Sequence, residues 1–539
     1  MLGKSPIDIA ALRSKLENFP DRPVAEQLVN GFSFGFSLHY VGPHNSFQSS
    51  NLPSANKNPQ IVREFFSKEV TLGRVAGPFH SPPFSNFRVS PIGLVPKKQN
   101  DQFRLIHHLS YPRGESVNDY IDPDLCSVQY TKFDAAVQMI QQLGNGTLLG
   151  KADIKSAFRL IPVAKEDFHL LGFKFDDKFY FDKCLPFGCS ISCAIFEKFA
   201  TFLEWTVSES SKKGKIEHYL DDYIFAGRRR TNDCNIIMDS FFRCCKSLGV
   251  PISEEKTVRP TTVLVFLGLE LDSIAMQVRI PIEKVNQIVQ LIHTFLSKKS
   301  VTLREMQSLL GSLNFMCRAI VPGRPFCRRL IDVTCGIKCP HYHIRISSGV
   351  RKDLTTWLQF FQSFNGISVF QERFWLTNED VCLYTDSSAA VGNGFGAYCQ
   401  GNWTFGVWPD SWRRLGITDS ITTLEYFPIL VAVHVWGERL RNKRVLFRCD
   451  NQAVVHILNT QTSKDCTIMI LVRELTLRCL HLNLSVKAEH IPGASNGITD
   501  SLSRLQMDRF RRLAPDAQPH SDPVPSYLWE IFSKERGDS

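Results

Sequence analysis

No run of apolar residues long enough to span a membrane occurs in this 539-residue chain. The opening MLGKSPIDIAALRSKLENFP also lacks the apolar core of a signal peptide. These two absences argue against membrane-embedded and secreted proteins. They predict a soluble intracellular protein with no membrane partner, without distinguishing cytoplasm from nucleus. The 16 cysteines have no framework spacing, which argues against a disulfide scaffold and reads as reduced thiols, many of them small buried residues. One group, Cys335, Cys339, His341 and His343 in CGIKCPHYH, fits no standard zinc-ligand spacing and reads as a loop between domains. Internal repeats are absent too.

What is present describes an ordinary globular protein: 43% hydrophobic and 22% charged residues, a composition that is neither disordered nor fibrous. At ~150 residues per domain the length predicts about three or four compact units. Lys plus Arg exceed Asp plus Glu by 63 to 53, a net charge of +10 that mildly favours a polyanionic partner. The polar stretch GPHNSFQSSNLPSANKNPQ near residue 60 reads as loop or linker. From there to about 275, strand-like and helical patterns alternate as in an α+β domain. VNQIVQLIHTFL and LREMQSLLGSLNFMCRAI then carry apolar residues at helical spacing, followed by a connector containing the helix-like VRKDLTTWLQFFQSF. Beyond about 380, VCLYTD, GFGAYC and WTFGVW read as strands, and alternating helices and strands follow. That order implies a mixed sheet covered by helices. The tail after about 507 is polar and Pro-bearing and reads as peripheral.

The stretch HYLDDYIFAG carries two adjacent carboxylates, Asp221 and Asp222, between two strand-like runs. IEHYL and YIFAG around a two-residue break predict a tight hairpin, yet Asp-Asp suits the φ > 0 of such a turn poorly and adds like-charge repulsion. A bound divalent cation would account for the pair. Asp153 in LLGKADIKSAFRLIPV ends another strand-like run. Alone it reads as a helix N-cap. With the hairpin pair it completes the carboxylate cluster that two-metal phosphoryl transfer needs, where ions ~3.5 to 4 Å apart bridge attacking and leaving oxygens.

KADIKSAF, LPFGCSISCAIFEKF, HYLDD, SEEKT and FLGLELD resemble the successive palm motifs of reverse transcriptases, in the family's order, over roughly residues 60 to 275. The resemblance implies that Asp153 and Asp221 are metal ligands and that Asp222 supports them electrostatically. It makes Phe158 the aromatic that excludes a 2′-hydroxyl, although a ring there can also be plain core. SPIGLVPKKQNDQFRLIHHLS resembles the fingers hairpin, with Lys97 and Arg104 as triphosphate holders, Arg by its fork and Lys as a point charge. Phe187 and Gly188 would line the nascent base pair. Lys256 would donate a proton to pyrophosphate, a surface lysine being the equal alternative.

A second acidic set, Asp386, Glu425, Asp450 and Asp500, occupies strand ends and helix starts. TDSS, the helix Glu, CDNQAVV and HIPGASNGITDSLSR resemble RNase H, which implies four metal-holding carboxylates and a mobile His490 that assists product release or proton transfer. Pro428, three residues after Glu425, fits a helix only if that helix begins near Leu424. Together the resemblances imply an α+β right-hand polymerase followed by an α/β RNase H-like domain with a mixed sheet. The segments would be an N-terminal extension (1–60), fingers and palm (61–275), helical thumb (276–335), connector (336–378), RNase H domain (379–506) and tail (507–539). The implied activities are copying of RNA into DNA and degradation of the RNA strand of the hybrid. The implied cofactor is Mg2+, with Mn2+ as a substitute, two ions per site. The implied partners are RNA template, DNA primer, RNA:DNA hybrid and deoxynucleoside triphosphates.

GRVAGPF, VSPIGLVPKK, RLIHHLSYPRGESVND and GRPFCRRLIDVT resemble DIRS-type retroelements, which use a tyrosine recombinase. RLIHHLSYP stands where other families have Asp-X-Arg-X-Leu-Asn, and Ser192-Cys193 where they have Ser-Pro. No His-X-X-Arg recombinase or Asp-Ser/Thr-Gly protease signature is present, so integration, by an element-encoded recombinase, would be supplied elsewhere or is lost. The rival reading is a domesticated or decayed relic that binds nucleic acid without catalysis. The presence of all seven carboxylates disfavours it.

Overall fold

The computed structural model describes residues 1–96, 103–131, 133–364, 367–369, 381, 383–441, 443–482, 484–490 and 496–533. The chain divides into two compact units, Met1–Leu267 with Leu271–Ala275, and Gly268–Glu270 with Met276–Ser539. That is fewer than length alone predicts, because the helical segment and the C-terminal sheet pack together. Buried Asp353, on helix Ser348–Phe364, lies 3.5 Å from Arg329 of helix Pro325–Asp332 and 3.6 Å from Arg473 of helix Cys466–His481. A buried carboxylate shared by two guanidiniums cannot lose either cheaply, so it ties the two segments together.

The first unit is built on an antiparallel sheet of order β4-β1-β3-β2, where β1 is Leu148–Asp153, β2 Lys215–Tyr219, β3 Asp222–Gly227 and β4 Val258–Thr261. Helices α1 (Ser192–Ser211) and α2 (Asp233–Leu248) pack against it. β3 is central, and its run YIFAG is buried throughout, as a strand covered on both sides requires. The N-terminal segment joins this core. Helices Ile9–Leu16 and Arg22–Phe34 are capped by the Asp8 and Asp21 carboxylates and bury Leu12, Leu16, Leu28 and Phe32.

The stretch read as a linker near residue 60 is structured. Phe47–Gln48 pairs with Arg88–Val89, and helices Pro53–Lys57 and Pro59–Thr71 follow. Its polar side chains serve backbone groups instead of solvent. Asn51 donates to the Lys174 carbonyl (2.8 Å) and accepts from the Ile92 amide (3.2 Å), while the Ser54 hydroxyl accepts from the Leu94 amide (3.0 Å). Strands Ile92–Pro96 and Phe103–His107 form a hairpin with Val95 opposite Arg104.

In the second unit, helices Ile282–Ser297 and Leu303–Met316 match the predicted helical periodicity, the latter opened by a Thr302/Glu305 capping box. Strands β5 (Leu383–Ser387), β6 (Gly394–Cys399) and β7 (Asn402–Val407) are antiparallel. The α3 helix (Ile421–Trp436) follows them. Strands β8 (Arg444–Cys449) and β9 (Ser485–His490) pair in parallel, with α4 (Gln452–Thr460) and α5 (Cys466–His481) between them and α6 (Gly497–Ser503) after. Among the described residues the region therefore holds both strand orientations, in a three-stranded antiparallel sheet and a separate two-stranded parallel one.

The C-terminal tail is not peripheral. It runs along the free edge of β7, where the Gln518 amide donates to the Gly401 carbonyl (2.9 Å) and the Asp522 amide to the Trp403 carbonyl (2.8 Å). Trp403 and Thr404 side chains donate back to the Gln518 and Asp522 carbonyls at 2.7 Å each. Leu528 and Phe532 enter the core. An edge strand needs a partner for its exposed amides and carbonyls, and a Pro-punctuated segment can supply one through alternate residues. No helix among the described residues is long and apolar enough to cross a membrane.

Candidate active sites

In the first unit, β1 ends on Asp153 and β3 begins on Asp222, and the register sets them directly opposite one another. Tyr219 pairs with Asp222, so the hairpin turn is Leu220-Asp221, not the Asp-Asp break predicted from composition. Asp222 keeps its place in the strand. Leu220 takes the left-handed conformation such a turn demands, at φ 54°, a strained choice for a bulky residue. The Ile154 amide donates to the Asp221 carbonyl (3.0 Å) and fastens the turn to the end of β1.

Three carboxylates are thereby gathered. Burial and then the Asp153 charge push the Asp221 carboxyl up. Burial, Asp221 and Asp153 together raise Asp222 to about 6. Lys256 Nζ lies 2.7 Å from Asp153 Oδ2, so this lysine joins the cluster. Burial opposes its charge but is outweighed by Asp153, which holds the ammonium above its ordinary value. One lysine against three carboxylates leaves the cluster short of positive charge. An all-oxygen donor set with that deficit fits a hard divalent ion, with Asp153 and Asp221 as the residues to hold it. Among the described residues, no His, Cys, Asp or Glu side chains close on one point as a metal centre. That covers Cys335, Cys339, His341 and His343 as well, where His343 opens a strand paired with Ser300–Thr302.

The Phe158 ring lies 5.3 Å from Phe187 and 5.9 Å from Phe196, half-buried with one side on the core. The exposed Arg104 guanidinium sits 4.6 Å over the Phe187 ring and its charge reaches Asp221. Gly188 has φ 114°, and a Cβ there would collide with the His107 carbonyl oxygen. Only glycine fits this turn. Lys97 lies outside the described residues.

Sequence reasoning missed what holds these parts. Arg159, next to the Phe158 ring, is buried and donates to Glu69 (2.9 Å), Asp182 (2.7 Å) and the Cys184 carbonyl (3.0 Å). Burial disfavours charge on Asp182, but Arg159 and His107 outweigh it and hold its carboxyl low. His107 contacts Asp182 (3.1 Å), and its amide donates to the Phe187 carbonyl (2.9 Å). The Asn118 carboxamide donates to the Gly188 carbonyl (2.8 Å) and accepts from the Ser190 amide (3.0 Å), clamping the Phe187-Gly188 turn. A polar residue in ESVND gives no sequence signal for such a clamp.

In the second unit, Asp386 is on β5, Glu425 on α3, Asp450 directly after β8 and Asp500 on α6. They share one neighbourhood. Burial first, then Asp386 and Asp450, raise Glu425 to about 9. Burial outweighs a hydrogen bond from Ser503 (2.6 Å) and lifts Asp386 to about 6, with Asp500 and Asp450 adding to the rise. Asp500 is held low: burial opposes, but Arg504 (2.6 Å) and Arg509 (2.8 Å) outweigh it. Here too the oxygen donors and their charge deficit fit hard divalent ions. His490 ends β9, with Nε2 3.1 Å from the Asp450 carbonyl oxygen.

The α3 helix starts at Ile421, capped by Ser420, not near Leu424 as Pro428 implied. Pro428 therefore lies inside the helix, where it has no amide to donate to the Leu424 carbonyl. The Ser387 hydroxyl, on β5, donates to that carbonyl instead (2.7 Å), and the Ser387 backbone bonds the Glu425 carboxylate. One residue thus fastens the Glu425 turn to the strand bearing Asp386.

Residues 95–271 match the family model described as "Reverse transcriptase (RNA-dependent DNA polymerase)", which identifies a reverse transcriptase domain over that segment. Among solved structures, a foamy viral protease-reverse transcriptase dRH in complex with double-stranded DNA is similar with a TM-score of 0.50 at 14% identity, over 91% of this chain and 84% of that one. The fold is accordingly that of a reverse transcriptase, with fingers, palm and thumb followed by a sheet-containing C-terminal region. In sequence, the Transposon Tf2-3 and Tf2-4 polyproteins of Schizosaccharomyces pombe (strain 972 / ATCC 24843) are each 20% identical over 440 residues. Those matches take in 80% of this chain but only 30% of each polyprotein's length.

Proposed function

We propose that the chain is a retrotransposon RNA-directed DNA polymerase that also degrades the RNA of the RNA:DNA hybrid. The observation that carries the reading is the register of Asp222 opposite Asp153, with Asp221 in the adjoining turn. Divalent ions held by Asp153 and Asp221 would supply charge stabilisation for nucleotidyl transfer, and a second set at Asp386, Glu425, Asp450 and Asp500 would do so for RNA cleavage. The chain's own groups do the rest. Arg104 and Lys97 hold triphosphate oxygens, Phe158 excludes a 2′-hydroxyl, and Phe187 and Gly188 support the new base pair. Lys256 delivers a proton to the departing pyrophosphate, and His490 assists release of cleaved RNA.

The segment boundaries read from sequence, an intracellular site of action and DIRS-type kinship with a separately encoded recombinase belong to the same proposal. The motifs GRVAGPF and RLIHHLSYPRGESVND support that kinship. The full chain should extend a labelled DNA primer on an RNA template with deoxynucleotides and Mg2+, and shorten a labelled RNA in the resulting hybrid. A chain that retards the hybrid on a gel but extends nothing contradicts the proposal and favours the binding-only relic.

A further inference from the structure

We propose that the end of the β2–β3 hairpin remote from the catalytic turn is a second nucleic-acid surface, taking the phosphodiester backbone of a strand outside the active site. Lys212 and Lys213 follow the last residue of α1, Lys215 opens β2, and Arg228, Arg229 and Arg230 follow the last residue of β3. Lys215 pairs with Ala226 in the register. A Cβ on Gly214 would meet the carbonyl oxygens of Ala226 and Asp233 at 3.1 and 2.9 Å, so the two turns touch. Lys212, Lys213 and the three arginines are exposed. Six residues of strand, at about 3.3 Å each, put Arg228 about 20 Å from Asp222.

Elsewhere in the unit some surface cations have carboxylate partners, as Arg63 has Asp176 and Arg259 has Asp239, while others, such as Arg13, Lys57 and Lys165, have none within 4.0 Å among the described residues, so what sets these turns apart is five exposed cations gathered in one place. At these turns Lys215 donates to the uncharged Gln142, and its charge also acts on Glu217 along the same strand. Among the described residues, no carboxylate lies within 4.0 Å of Lys212, Lys213, Arg228, Arg229 or Arg230. Those five charges equal half the chain's formal net charge of +10. Massing like charge without counter-charge disfavours the folded state, so an external anion accounts for it better than a solvated face does. Among the described residues between 126 and 262 no aromatic ring is exposed, so the turns offer none on which bases could stack. Exposed Ile274, whose carbonyl accepts from Asn145 beside the Gly146 that faces Arg229, is a single apolar side chain, less than the anchor cluster a protein partner needs. What it offers is repeated phosphate contact, which is independent of base sequence.

The test is salt-dependent binding of the full chain to a fluorescent single-stranded RNA and, separately, to an RNA:DNA hybrid. The variant replaces Lys212, Lys213, Arg228, Arg229 and Arg230 with Gln together. On single-stranded RNA its plot of log affinity against log salt should be shallower than wild type by about 3.5, from ~0.7 for each of the five lost cations. Extension of a short primer should be unchanged. A fall on both nucleic acids or on single-stranded RNA alone supports the surface. Circular dichroism checks folding, and the charge-preserving Arg228→Lys, Arg229→Lys, Arg230→Lys variant should keep the wild-type slope. An unaltered slope in the Gln variant overturns the proposal. So does undiminished RNA binding alongside lost retention on polyglutamate, which would make the surface a protein-docking one.

Discussion

Ser387 and Pro428 act as one device. Proline removes a helix hydrogen bond, and the serine from the neighbouring strand takes the orphaned carbonyl, so the helix turn carrying Glu425 is fixed to the strand carrying Asp386. Ser387→Ala leaves the Leu424 carbonyl buried without a donor, which costs about 1 to 3 kcal/mol. RNA cleavage should fall more than thermal stability explains. Adding Pro428→Ala restores an amide inside the helix, so the double variant should recover stability while nuclease activity stays low. Equal recovery of both would make the serine merely structural. At the polymerase site, Phe158→Val opens space against Phe187 and should raise incorporation of ribonucleotides relative to deoxynucleotides. An unchanged ratio in single-nucleotide extension would leave the ring as plain core.

At the scale of elements, the β2–β3 hairpin is braced from behind. His218 on β2 faces Glu197 at 3.2 Å and Glu204, both on α1, and stacks on Tyr223 of β3. Burial disfavours its charge, but the two glutamates outweigh it and raise His218 to about 9 from 6.5. Because the folded value lies above the unfolded one, this stabilisation is fully present below about pH 6.5 and is lost as pH rises through about 9. Urea midpoints of the wild type should therefore decline across that window relative to His218→Gln; parallel profiles would contradict the assignment. The tail makes a second test. A chain ending at residue 506 loses Leu528, Trp529 and Phe532 from the core and uncovers the β7 edge. Its C-terminal unit should melt at lower temperature and aggregate, which differential scanning calorimetry would detect.

Sequence periodicity located the helices Ile282–Ser297 and Leu303–Met316 and the strands and helices of the C-terminal sheet region, because alternation and 3.6-residue spacing are set by burial on one face. It missed the tail because three apolar residues among prolines carry no period. It misread the stretch around Asn51 and Ser54 because polar side chains that serve backbone groups look like those that face water.

For the whole molecule, the carboxylates were legible through the motifs that carry them, which resemble reverse transcriptase and RNase H, because Asp153 alone reads as a helix cap and Glu425 and Asp500 lie on helices. The residues that hold the surrounding structure, Arg159 on Asp182, Asn118 on the Phe187-Gly188 turn and Ser387 on the Glu425 turn, were not, since each acts on a segment distant in sequence. The central claim is that one chain carries two separable chemistries, the first at Asp153 and Asp221 and the second at Asp386, Glu425, Asp450 and Asp500. The most direct measurement follows both in one tube, with a labelled DNA primer annealed to a differently labelled RNA template, for wild type, Asp221→Asn and Asp386→Asn. Loss of metal-held charge should slow the affected reaction by at least ~100-fold. Asp221→Asn should leave the primer unextended while still cutting RNA in a preformed hybrid. Asp386→Asn should extend the primer and accumulate uncut hybrid. If either substitution abolishes both reactions in a folded chain, or neither impairs its own, the two-site account is wrong.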